Sequence, residues 1–91
     1  MTPVAVVTGA AAGIGAAVTE LLVERGFHVA ALDIRTAAAS DGVTPIPCNV
    51  RSDDDCRAAV EMAAAAGPIT ALVNNAGIQR NGTVVDMTPA D

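Results

Sequence analysis

At 91 residues the chain is one domain at most, of a size that leaves little stability to spare. Ten acidic against five basic residues give a formal charge of −5, with neither a Lys/Arg cluster nor an aromatic platform, so the footprint of a nucleic-acid binder is missing. Hydrophobic residues at 52% and charged residues at 16% exclude a disordered segment, and no apolar run approaches the length of a membrane span.

The apolar content is mostly Ala and Val, with Phe27 the only aromatic residue. Such small side chains suit helices lying close against a parallel sheet whose strands are buried on both faces. Met1-Thr2-Pro3 leads straight into a strand-like run without a basic region or cleavage site, so no signal peptide is expected and the expected compartment is the cytoplasm. Cys48 and Cys56, eight positions apart and without a His/Cys cluster beside them, read as reduced thiols; spacing alone leaves a bridge between them open.

Val4 to Thr8 is an unbroken apolar run, the pattern of a doubly buried strand. A glycine-punctuated turn, Gly9 to Gly15, follows. Ile14, Ala17, Val18, Leu21 and Leu22 then recur at helical spacing opposite Glu20, Glu24 and Arg25, and Gly26 caps the helix. Phe27 to Leu32 is a second buried strand, ended by Asp33. His28, the only histidine, is expected to pack at the edge of the sheet. Thr36 to Gly42 is too short for the usual parallel crossover and has room for a stunted helical turn at most.

Val43 to Cys48 reads as a third strand despite Pro45 and Pro47. The two prolines lie two apart, so their missing N–H groups point the same way, which an edge strand tolerates and a central one does not. Ser52 with Asp53, Asp54 and Asp55 starts a helix, the acids on its positive dipole end; a solvated helix start is the plain reading, a hard-metal site the other. Cys56, Ala59, Val60, Ala63 and Ala64 form its apolar stripe, and Gly67-Pro68 ends it. Ile69 to Asn74 is a fourth buried strand. Thr88-Pro89-Ala90-Asp91 is a helix start at the end of the chain, so the sequence reads as truncated. Strands alternating with helices in this order predict an α/β fold with a parallel, doubly wound sheet.

Thr8-Gly9-Ala10-Ala11-Ala12-Gly13-Ile14-Gly15 sits between a buried strand and an amphipathic helix. Glycines there permit positive φ and let a pyrophosphate approach the backbone, while the helix start offers free N–H groups and a positive dipole end. A tight turn alone would also use glycine, but the strand-turn-helix context favours a phosphate cradle. Asp33 follows Gly9 by 24 residues, where its carboxylate can accept hydrogen bonds from the adenosine ribose hydroxyls. The same charge repels the 2′-phosphate of NADP: unit charges about 4 Å apart at an effective dielectric near 20 interact by roughly 4 kcal/mol before solvent screening. NAD is therefore favoured over NADP. Arg35 is a solvated surface arginine or, alternatively, swings toward a phosphate.

Thr8 to Gly15 matches a T-G-x-x-x-G-I-G pattern, and Asn74-Asn75-Ala76-Gly77, 66 positions on, matches an N-N-A-G pattern. Together they make the whole stretch from Val4 to Asp91 resemble the short-chain dehydrogenases/reductases, which implies a Rossmann-type doubly wound parallel sheet, truncated to about four strands in the order 3-2-1-4, and an incomplete dinucleotide-binding domain over residues 1–91. The resemblance implies that Gly9, Gly13, Ile14 and Gly15 hold the pyrophosphate, and that Asp33 and Ile34 contact the adenosine ribose and adenine. It implies that Asn49-Val50 stands where the family has an Asp-Val pair bonding the adenine amino group, with the Asn49 amide oxygen replacing a charged acceptor. Asn75, Ala76 and Gly77 would border the nicotinamide-side ribose and brace the first loop; Asn74 and Asn75 also suit a capped turn after a strand. Gln79, Arg80 and Asn81 rim a substrate cleft or form a plain surface loop.

The family's reaction centre is an Asn, a Ser and a Tyr-x-x-x-Lys pair, yet this sequence has no Tyr, and all five of its basic residues are Arg, so it offers no catalytic residue. The resemblance implies an NAD-dependent oxidoreductase, hydride passing between nicotinamide and a small-molecule secondary alcohol or carbonyl, in a full-length parent that forms a homo-oligomer. Dihydrodiol-type, sugar-type and 3-oxoacyl reductases of the family all remain open. The alternative is a non-catalytic dinucleotide-binding half-module. A P-loop hydrolase is excluded by the missing Gly-Lys-Ser/Thr.

Overall fold

Val4–Thr8 forms strand β1, buried along its whole length as an apolar run covered on both faces must be. The computed structural model describes residues 2–11, 13–35 and 39–75. After β1 come α1 (Gly13–Glu24), β2 (His28–Asp33), β3 (Val43–Pro47), α2 (Asp53–Ala66) and β4 (Ile69–Val73). The strands are parallel in the order β3-β2-β1-β4, the doubly wound arrangement expected from the sequence.

Alternation along the strands divides the core in two. Val4, Val6, Ala30, Leu32, Ile46 and Cys48 face Ala59 and Ala63 of α2. Val7, Val29, Ala31 and Val73 face Val18, Leu22 and Val23 of α1 on the other side of the sheet. β3 lies at the edge, as its prolines require. The Cys48 N–H donates to the Asp33 carbonyl at 3.0 Å, so by the period of two the nitrogens of Pro45 and Pro47 face away from β2.

Four expectations need correction. The buried face of α1 carries Gly15 and Thr19, flanked by Val18, Leu22 and Val23, while Ile14 is 50% and Leu21 47% exposed. The helix is rotated because Gly15 must abut the Gly9 carbonyl, and Thr19 tolerates burial by donating its hydroxyl to the Gly15 carbonyl at 2.8 Å. On α2, Cys56, Ala59 and Ala63 face the core, but Val60 and Ala64 are exposed. β4 is buried only at Val73: as the outermost described strand it has one described neighbour, and Ile69 and Thr70 are exposed. His28 opens β2, an interior strand, where its Nε2 hydrogen-bonds the Thr44 hydroxyl at 2.7 Å across to β3.

The helix ends follow local rules. Gly26, at φ +94°, closes α1: its N–H donates to the Val23 carbonyl at 3.1 Å, and the Phe27 N–H to the Leu22 carbonyl at 3.0 Å, the two bonds of a Schellman motif. Ser52 caps α2 by accepting the Asp55 N–H at 3.2 Å. Residues 36–38 of the short β2–β3 connection lie outside the described residues; its described remainder is a turn in which the Val43 N–H donates to the Ser40 carbonyl at 3.0 Å. The helix start at Thr88–Asp91 also lies outside them.

Candidate dinucleotide-binding site

The β1–α1 loop crosses the carboxyl ends of the strands, where ligands bind in open α/β sheets. Gly9 and Gly13 adopt φ +64° and +61°, conformations that favour glycine. A Cβ on Gly13 would meet nothing within 4 Å, so the helix start is open on that side. A Cβ on Gly15 would run into the Gly9 carbonyl oxygen and come within 2.8 Å of Asn75 Nδ2. One glycine is needed for its backbone angles, the other for close approach.

Neighbouring strand ends hold this loop in place. The Ala10 N–H donates to the Leu32 carbonyl at 3.2 Å, and the Ala11 N–H to Asp33 Oδ2 at 2.9 Å. From β4's side, Asn75 Nδ2 donates to the Gly9 carbonyl at 3.1 Å, while the Asn75 N–H donates to Thr8 Oγ1 at 2.8 Å. Thr8 Oγ1 also lies 3.4 Å from the Val73 carbonyl and 3.2 Å from Asn74 Oδ1. The first-turn amides of Gly13, Ile14 and Gly15 have no intrahelical acceptor, so they face outward at the positive end of α1. Bare backbone, open space and N–H donors at a helix start fit a pyrophosphate.

Asp33 does more than the sequence suggested. Besides the Ala11 N–H, its carboxylate takes the Arg35 N–H on Oδ1 at 3.0 Å. An ionised carboxylate has about four lone-pair sites, so each oxygen retains capacity for a ribose hydroxyl. Ile34 (72% exposed) and Val50 (41%) stand beyond the ends of adjacent strands β2 and β3, apolar surfaces suited to the faces of a flat base.

Asn49 belongs to a turn that holds itself together. Its Oδ1 accepts the Arg51 N–H at 3.0 Å, and its own N–H donates to Asp55 Oδ2 at 3.0 Å. The amide oxygen therefore already carries one bond and can offer one further lone pair to a base, beside its NH₂ donors. Of the N-N-A-G residues, Asn74 and Asn75 are described, while Ala76 and Gly77, like Gln79, Arg80 and Asn81, lie outside the described residues.

Sequence reasoning missed three contributors. In the sequence Thr8 reads as the end of a strand and the first residue of a motif, although a hydroxyl there beside two asparagines signals a polar knot. Asp55 reads as a solvated acid of the helix start, but Ser-x-x-Asp is a capping-box spacing, and here the acid reaches past the cap to the Asn49 N–H. The Ala11 amide carries no side-chain signal at all. Beneath this turn, burial pushes the Cys48 thiol up from its ordinary range, and neighbouring Cys56 and Asp55 push the same way.

The model of the short chain dehydrogenase family matches residues 3–91. An acetoacetyl-CoA reductase of Paracoccus denitrificans is 38% identical over 96 residues, covering 98% of this chain and 40% of the relative. The short-chain dehydrogenase reductase ATA1 of Arabidopsis thaliana is 38% identical, covering 92% of this chain and 34% of its own length. For the 3-oxoacyl-(acyl-carrier-protein) reductase MabA of Mycobacterium avium the figures are 36%, 90% and 32%. The chain thus spans a third to two fifths of the curated relatives it matches. With that match over nearly every residue, and a glycine loop braced as the fold requires, the chain belongs to the short-chain dehydrogenase family.

Proposed function

We propose that this chain is the coenzyme-binding part of an NAD(H)-dependent oxidoreductase that transfers hydride between nicotinamide and a secondary alcohol or carbonyl. The observation that carries the proposal is the glycine-framed loop at the head of α1, open beside Gly13, with the Asp33 carboxylate fixed at its rim. When bound, the coenzyme supplies the hydride-carrying nicotinamide. The chain's own residues bind and orient it. Amides of residues 13–15 take the pyrophosphate, and Asp33 accepts the adenosine ribose hydroxyls while repelling a 2′-phosphate. Ile34, Asn49 and Val50 receive the adenine; Asn75, Ala76 and Gly77 border the other ribose.

Proton transfer at the substrate needs the family's tyrosine and lysine, which are not among these 91 residues, so the activity proposed is that of the whole protein, acting in the cytoplasm as a homo-oligomer. Two of the relatives are named as reductases of acetoacetyl-CoA and of a 3-oxoacyl carrier protein, which makes a 3-oxoacyl thioester the first carbonyl to assay. The test is a titration of the full-length protein with NADH and NADPH. NADH should bind at least about tenfold more tightly, equivalent to roughly 1.4 kcal/mol. Tighter NADPH binding overturns the role given to Asp33; no binding of either overturns the function.

A further inference from the structure

The coenzyme reading leaves two nucleophiles unused, and the fold brings them together under the adenine end of the site. Cys48 follows β3, is 3% exposed and belongs to the core between the sheet and α2. Cys56 lies in the first turns of α2, half-buried, and packs against that same core. The bond from the Asn49 N–H to Asp55 draws the residues next to the two cysteines together, and both side chains pack in one core cluster. Cys56 Sγ also lies 3.5 Å from the Val50 carbonyl, to which its S–H donates. Between the cysteines runs the turn of residues 49–52 with Asn49 and Val50 on it. Neither thiol is bridged.

We propose that Cys48 and Cys56 are a reversible redox pair whose bridging loosens the 49–52 turn and weakens coenzyme binding. The oxidant is a low-molecular-weight disulfide. The better exposed Cys56, as thiolate, attacks one sulphur of that disulfide, forming a mixed disulfide and expelling one small thiolate, which takes up the proton Cys56 gave to water. Cys48 then loses its proton to solvent and attacks Cys56 Sγ, expelling the second small thiol. Two protein thiols become one disulfide, and one small disulfide becomes two small thiols. Cys48 is shut off from a small disulfide by its burial, so it enters only at the second, intramolecular step. Once bridged, Cys56 has no S–H to donate, so the Val50 carbonyl loses its donor while Asn49 keeps only its links to Arg51 and Asp55. The effect on the coenzyme rests on the proposed function; the bridge and the loosening do not.

The test treats the reduced full-length protein with oxidised glutathione. Intact mass should fall by two hydrogens, peptide mapping should join residue 48 to residue 56, and dithiothreitol should reverse both. Amide exchange at residues 49–52 should quicken, and NADH affinity should fall about fivefold, the worth of one modest hydrogen bond. Cys56→Ser retains a hydroxyl donor for Val50 and should show none of these responses. A lasting glutathione adduct, an unchanged mass, or a bridge that alters neither exchange nor NADH affinity overturns the proposal. If the reduced protein binds no dinucleotide, the coenzyme reading fails instead, and amide exchange at 49–52 alone decides the switch.

Discussion

Two turns face the same end of the sheet, and they are held in opposite ways. The β1–α1 loop contributes backbone and almost no side chain; its bonds to Asp33 and Asn75 span 22, 66 and 67 positions of sequence. The β3–α2 turn is tied by its own side chains across two, three and six positions. The first takes its shape only when β1, β2 and β4 are paired, so its loop-closure entropy is paid by the sheet. The second is set by the cap of α2 and can shift without disturbing strand order. A rigid β1–α1 loop and an adjustable β3–α2 turn follow from that division.

The difference breaks most visibly at Gly15. Gly15→Ala puts a methyl against the Gly9 carbonyl and Asn75 Nδ2, backbone on one side and a tethered amide on the other. Overpacking of this kind should cost about 3 kcal/mol, seen as a lower urea midpoint, with dinucleotide binding abolished by the displaced loop. Asn75→Ala comes next. It deletes the bond to the Gly9 carbonyl but leaves the backbone N–H on Thr8, so the loss should be about 1 to 2 kcal/mol. NADH binding should weaken with it; an unchanged affinity would mean that β1 and α1 alone hold the loop.

On the local side the effect is smaller. Ser52→Ala removes the cap of α2 and should cost about 1 kcal/mol. Amide exchange should rise at residues 49–55 and stay unchanged at residues 9–11, which share no bond with that turn. Faster exchange in both loops would show that the two are mechanically one.

The same division explains what the sequence revealed. Strand order was legible because each parallel strand is a short apolar run and the prolines of β3 name their own edge. The tight β1–α1 turn was legible because glycine spacing is a backbone requirement written into residue identity. The face of α1 was not. Its sheet side is made of Gly15 and Thr19, which hydrophobicity ranks below the exposed Ile14 and Leu21, and only the close approach to Gly9 decides the rotation. Nor was the bond from the Ala11 amide to Asp33, because main-chain donors look alike in a sequence. The Asn49 turn could have been read from Ser52 and Asp55 as a capping pair, had the acids been weighed one by one.

The smallest expected effect isolates the ground beneath the adjustable turn. Burial raises the Cys48 thiol above its unfolded value, and Cys56 and Asp55, the titratable groups facing it from α2, add to the shift. The folded state therefore holds the proton more tightly. This contribution to stability is complete below the unfolded thiol pKa, about 8.5, and is lost as pH rises toward the folded value. The slope of unfolding free energy against pH is bounded at about 1.4 kcal/mol per pH unit for one proton. Comparison with Cys48→Ala separates this thiol from every other group that titrates in the alkaline range. Urea midpoints of the whole protein, measured from about pH 8.5 upward, should fall more steeply than those of Cys48→Ala, whatever the variant's offset from its smaller side chain. An equal fall in Cys48→Ala would mean that the Cys48 thiol is not shifted by its surroundings and that the core under the β3–α2 turn is open to water.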